Sequence, residues 1–293
     1  MAEHTPIEPV KEIQAEFTPG EKSVGKRIID LPWWFIGIIL IAFWAAYIII
    51  TKPNYQEAFD WIKAGLRITI QTSIISYFFA IILGLLTGLG RLSKNVVINN
   101  LARLYVELVR GIPMLVLIFF IALVGVPAVV ELLNKVGEWA LTNGLTVIGE
   151  LLTVLNNQAV PMNSRAIVAL SVTYGAFLAE IFRAGIQSIG KGQTEAARSL
   201  GMSTAQSMRY VILPQAIRNV LPALGNDFVA MVKDSSLVSV LAVRDITQIA
   251  RLYGGSTFRF REAYSTLAVM YLTLTVMLSI VVQAVERRMR KNE

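Results

Sequence analysis

Hydrophobic residues in this chain fall into long blocks, the first of them unbroken. Residues 31–50 are apolar throughout, and at about 1.5 Å per helical residue such a run covers a hydrocarbon core of roughly 30 Å. Further apolar blocks lie at 66–90, 103–125, 165–186, 216–242 and 264–286. The pattern predicts an all-α membrane protein with about six transmembrane helices. Trp33, Trp34 and Tyr47 sit near the ends of the first block, where amphipathic rings favour the membrane interface. A cleaved leader is the alternative for that block. The long polar stretch before it and the lack of a small-residue cleavage site after it argue against one.

The polar segments divide the chain. Residues 1–30 carry both signs of charge and three prolines, and read as a disordered cytoplasmic tail. Residues 31–60 then supply an extra N-terminal membrane helix and a short outer loop. The body, 61–290, contains a long outer insertion at about 126–164 and a polar island at about 190–215. In the insertion Val129, Leu132, Leu133, Val136, Trp139 and Ala140 recur at helical spacing, whereas 145–155 is apolar but too short to span. Amphipathic helices lying at the outer interface are expected there, with an insertion packed on the bundle as the other reading.

Composition narrows the function. The chain is 55% hydrophobic and only 16% charged, with a mean hydropathy of +0.58, which a soluble domain of this length does not sustain. The absence of cysteine removes disulfides, thiolate metal sites and thiol nucleophiles, and His4, the only histidine, lies in the tail. The net charge of +7 comes from basic residues flanking apolar blocks, where they orient a membrane protein and do not signal nucleic-acid binding. With both termini inside, the cytoplasmic segments hold most Lys and Arg; Arg244, Arg251, Arg259 and Arg261 run against that bias. A multi-pass protein with both termini cytoplasmic is expected.

The polar island carries Glu195, Ala196, Ala197 and Gly201, followed by Val211, Ile212, Leu213 and Pro214. Two adjacent alanines let another surface approach the backbone, Gly201 suits a helix-ending turn, and Pro214 suits the start of a new helix. It reads as a docking element shaped like a helix-turn-helix. The pattern Glu-Ala-Ala-x-x-x-Gly followed by Leu-Pro resembles the signature of the permease subunits of binding-protein-dependent ABC importers. Nearby text resembles the polar-amino-acid branch: Gly175 to Ile189, Arg209 to Ala216, Leu224 to Phe228, Lys233 to Val240, and Tyr105 to Pro113 upstream. Val211 and Asp227 are mild departures, standing where isoleucine and glutamate are expected.

The resemblance implies a five-helix type I importer core plus one N-terminal helix, in a bacterial cytoplasmic (inner) membrane. It implies a cytoplasmic dimer of ABC ATPase subunits as partner, and places Glu195, Ala196, Ala197, Gly201, Leu213 and Pro214 at that contact. A second permease subunit, a copy or a homologue, and an extracytoplasmic binding protein complete the assembly, and the insertion is a candidate contact for that binding protein. No G-x-x-x-x-G-K-[ST] run is present, so ATP and Mg²⁺ belong to the partner and this chain is a non-catalytic subunit that binds no cofactor.

Ionisable residues within spans are functional candidates because burying charge in lipid is costly. Asn226, Asp227, Lys233, Asp234 and Ser235 form the densest set; Asn226 and Lys233 are seven apart, as are Asp227 and Asp234, so each pair shares a helix face. Pro222 and Gly225 weaken the helix just before them, and interrupted helices near the midplane build transporter sites. One reading is a pocket for a zwitterionic amino acid; the other is mutual neutralisation or helix capping at a subunit interface. Glu107 with Arg110, and Glu180 with Arg183, stand at i, i+3 spacing. The second reads as a structural ion pair, and the first also as a pathway lining, because Gly111 and Pro113 break the span beside it. Ser171, Thr173 and Tyr174 are weaker candidates for neutral hydrogen bonds.

The function expected is ATP-driven import of polar amino acids by alternating access. An opine or sulfur-amino-acid permease is the alternative within the class. A secondary carrier or channel has no use for the 195–214 docking segment, and a membrane enzyme would have only Asp227 and Asp234 to work with.

Overall fold

A computed structural model of the chain describes residues 33–154 and 156–290; the polar tail expected at 1–30 lies outside them. Contacts divide the chain at Phe43, with one unit before it and one from Trp44 onward. Helix α1 is Trp33–Thr51. The second unit continues with α2 (Pro53–Ile62) and α3 (Leu66–Arg91), joined by a 3₁₀ turn at Lys63–Gly65. After these come α4 (Val96–Gly111), α5 (Met114–Phe120), α6 (Val126–Thr142), α7 (Thr146–Thr153) and α8 (Met162–Gln187). The chain ends through α9 (Lys191–Ser199), α10 (Thr204–Ser207), α11 (Leu213–Asp234), α12 (Ile246–Thr257) and α13 (Phe260–Arg290). Among the described residues every regular element is helical.

Four stretches are long and apolar enough to cross a membrane: Pro53–Arg91, Met114–Thr142, Met162–Gln187 and Phe260–Arg288. The span expected at 103–125 is broken. Pro113 disfavours helical backbone at the residue before it, Ile112 is extended (φ −107°, ψ 138°), and the apolar helix begins afresh at Met114. The block at 216–242 also changes character: α11 ends at Asp234 and a 3₁₀ segment, Ser235–Leu241, follows until Ala242 takes a left-handed conformation. The insertion forms two helices: α6 continues from α5 through a π turn at Ile121–Gly125, and α7 folds back onto α6.

Helices α3 and α8 form the centre and run in the same direction. Thr72 Oγ1 donates to Asn163 Oδ1 (2.8 Å) near one end, Ser171 Oγ to the Ser76 carbonyl (3.2 Å) further along, and Gly88 meets Phe182 near the other. A Cβ on Gly84 would lie 2.6 Å from Leu178 Cβ; small residues allow this approach where lipid gives helices no hydrophobic drive to associate. Helix α11 runs opposite to α8, with Val220 against Gly185 and Asp234 against Tyr174. Arg91 and the α9–α10 segment therefore share one end of the bundle, and the α6–α7 hairpin projects from the other.

Candidate functional site

Where α4, α8 and α11 converge, a cavity of about 390 Å³ is lined by Arg110, Met114, Tyr174, Phe177, Glu180, Ile181, Asp227, Ala230 and Asp234. The break at Ile112–Pro113 puts Arg110 at its rim, at the last turn of α4. Asp227 and Asp234, two turns apart on α11, face it together. The Tyr174 hydroxyl donates to Asp234 Oδ2 at 2.7 Å; Asp227 accepts no hydrogen bond among the described residues. The Arg110 guanidinium lies 5.8 Å from the Phe177 ring centroid, a cation–π distance.

Glu180 closes one end and is more than half of a simple pair. Arg183 donates to its Oε2 (2.9 Å), Arg91 donates to Oε1, and Arg110 stands 3.6 Å from Oε1. One carboxylate thus gathers arginines from three helices, leaving a positive surplus beside the two aspartates. The expected Glu107–Arg110 pair does not form. Glu107 is exposed and makes no ion pair among the described residues, while Arg110 turns to Glu180.

The two heptad-spaced pairs of α11 part company. Asn226 and Lys233 are exposed and do not line the cavity; Ser235 is buried and donates to the Val232 carbonyl (2.8 Å). Lys233 forms no ion pair with either aspartate among the described residues, so mutual neutralisation within the chain is absent there. Tyr174, a weaker candidate from sequence, is a direct partner of Asp234. Phe177 and Arg91 carry no signal of their own along the chain; only the helix-face register of Arg91 against Glu180 could have found the latter. Among the described residues no group of three or more His, Cys, Asp or Glu is placed to hold a metal.

At the other candidate region α9 ends in a Schellman turn. The Met202 amide donates to the Ala197 carbonyl (3.1 Å) and Gly201 to Arg198 (2.9 Å), with Gly201 at φ +78°. Ser203 then caps α10 through a capping box with Gln206. Pro214 does not open an isolated helix: α10 runs into α11 through a π turn at Met208–Ile212. Having no N–H to donate to residue 210, proline is accommodated by that widened turn. Glu195, Ala196 and Gly201 are exposed, Ala197 is buried against the segment, Leu213 is half-buried and Pro214 exposed. Leu200, 79% exposed, and Tyr210, 62% exposed, flank a depression at Gly201.

Residues 80–291 match the family model described as binding-protein-dependent transport system inner membrane component. The chain belongs to this family. It is a multi-pass membrane subunit that translocates solute for a binding-protein-dependent transporter. Relatives of this inner-membrane component include a probable amino-acid permease protein, YxeN, of Bacillus subtilis, 36% identical over 80% of this chain and 94% of its own length. The glutamine transport system permease protein GlnP of Escherichia coli is 31% identical over 79% of this chain and 98% of its own. Among solved structures, an amino acid ABC transporter crystallised with histidines superposes with a TM-score of 0.63. It is 35% identical over 82% of this chain and 98% of that one. The inner-membrane component here thus shares its fold with amino-acid permeases and extends beyond them in length.

Proposed function

We propose that this subunit passes a polar amino acid through the cavity of Tyr174, Asp227 and Asp234, driven by ATP hydrolysed on separate subunits. The observation that carries the reading is the division of charge around one cavity: aspartates on α11, and Arg110 at the end of α4. A zwitterion presents both complements, its ammonium to Asp227 and its carboxylate to the Arg110 guanidinium. Arg110, and not the exposed Lys233, lines the cavity beside the two aspartates. The substrate class is supported by the likeness to YxeN, to GlnP and to the amino acid ABC transporter crystallised with histidines.

The same reading assigns 61–290 to the translocation domain and 31–60 to an added helix. It sets both termini and the Glu195–Pro214 segment on the cytoplasmic face, where Leu200, Gly201 and Tyr210 meet a dimeric ATPase. A second permease subunit and an extracytoplasmic binding protein complete the transporter. Closure of the ATPases draws the docking segments together and turns the cavity outward; hydrolysis returns it. Uptake in proteoliposomes containing this chain, its ATPase and its binding protein tests this. Asp227→Asn should abolish amino-acid uptake while the assembly remains intact. Unchanged uptake by that variant, or uptake independent of ATP, defeats the proposal.

A further inference from the structure

A second and larger cavity, a groove of about 750 Å³, lies away from the translocation site, walled by the last turns of α1, by α2 and by α13. Its two ends differ in chemistry. At one end Gln56, Asp60 and Lys63 form the rim, with Lys63 Nζ 2.5 Å from Asp60 Oδ1 and both side chains more than half exposed. Beyond the rim the lining is apolar, with Ala46, Leu274 and Met277 among it. Met270 and Met277 both line it, so the groove runs about 10 Å along α13 at 1.5 Å per residue.

The charged rim sits one turn before the apolar run of α3 begins, at the end of a span, and the apolar end descends alongside it. Helix α13 is the barest of the long apolar helices: only 6% of its most apolar stretch is buried. The groove therefore opens on the surface that hydrocarbon covers. Its apolar walls give water too few partners to fill it, and its size is that of a ligand site.

We propose that the groove holds one phospholipid with a zwitterionic aminoethyl headgroup. Its phosphate lies against Lys63 and its ammonium against Asp60, matching both signs of the rim. One acyl chain follows Leu66, Leu274 and Met277. The lipid fills the seam between Ala46–Ile50 and α13, and joins the last turns of α1 to the translocation bundle. An anionic lipid would satisfy Lys63 and leave Asp60 opposed by like charge, so the ion pair selects the zwitterion.

Native mass spectrometry of the full-length chain tests this, after delipidation in detergent and titration with phosphatidylethanolamine, phosphatidylglycerol or phosphatidylcholine. One phosphatidylethanolamine should bind in preference to phosphatidylglycerol. Lys63→Gln, at an exposed position that leaves the fold intact, should weaken it about fivefold, the order of one charged headgroup contact. Ala46→Trp, which fills the groove, should remove it. Retention of the same lipid by Ala46→Trp, indifference to Lys63→Gln, or preference for phosphatidylglycerol overturns the assignment. Binding of detergent alone, with no lipid displacing it, does the same.

Discussion

Tyr174 on α8 and Asp234 at the end of α11 are joined by a 2.7 Å hydrogen bond, with the tyrosine donating to Oδ2. The bond ties the helix that leads into the docking segment to the helix that leads out of it, across the cavity where solute is proposed to sit. Asp227, with no such partner among the described residues, is left free to meet a ligand.

Removing the donor should disturb the site without dismantling the bundle. A hydrogen bond to a charged acceptor contributes about 1.5–3 kcal/mol, so Tyr174→Phe is expected to raise the KM for uptake by about tenfold or more. Initial uptake rates in proteoliposomes measure this. A KM equal to that of the parent chain would place Tyr174 outside the pathway.

The arginine cluster on Glu180 should matter to stability more than any other single charge. Glu180→Gln leaves Arg91, Arg110 and Arg183 facing one another, and breaking a partly buried ion network in this way costs about 3 kcal/mol. Thermal unfolding in detergent should show a clear fall in Tm. Glu107→Gln, at an exposed position without an ion partner among the described residues, should leave Tm within experimental scatter.

Gly201 tests coupling. A side chain in the left-handed conformation costs about 1–2 kcal/mol, and nothing else lies within 4 Å of the position, so strain is purely in the backbone. Gly201→Ala should reduce binding-protein-stimulated ATP hydrolysis in the assembled transporter, while Gly201→Asn, which tolerates that conformation, should retain more. Equal hydrolysis by the two variants would show that the turn is not what the partner reads.

Asp245 predicts a pH effect at the end of the bundle away from the docking segment, where it lies against Gly65. It caps α12 by accepting from the Gln248 amide (2.8 Å), and its other oxygen is buried without a partner. Burial pushes its carboxyl up to about 6, above the unfolded value of about 3.9. The stability tied to its protonated form is therefore complete below about pH 4 and lost as pH rises through about 6. Asp245→Asn keeps a capping side chain and should flatten the Tm profile between about pH 4 and 6. A profile as steep as that of the parent chain would assign the titration elsewhere.

Much of the architecture could be read along the chain because its causes are local. Long apolar runs dictate helices in a membrane, where every backbone group must be satisfied within the segment, and the helix-ending turn within Glu195–Pro214 follows from Gly201. Pro113 was visible as a break, and so was the spacing that puts Asp227 and Asp234 on one face. Which of the two faces of α11 turns inward was not visible, since Asn226 and Lys233 have the same spacing. Only packing against α8 chose between them. Likewise the i, i+3 rule paired Glu107 with Arg110 and Glu180 with Arg183 alone. A carboxylate has room for several donors, and the parallel run of α3 beside α8 brings Arg91 to Glu180 from 89 residues away in the chain. Sequence determined the helices, their breaks and the chemistry each could offer. Tertiary structure decided which charges meet, because pairing depends on relative rotation and depth of helices, which no local pattern encodes.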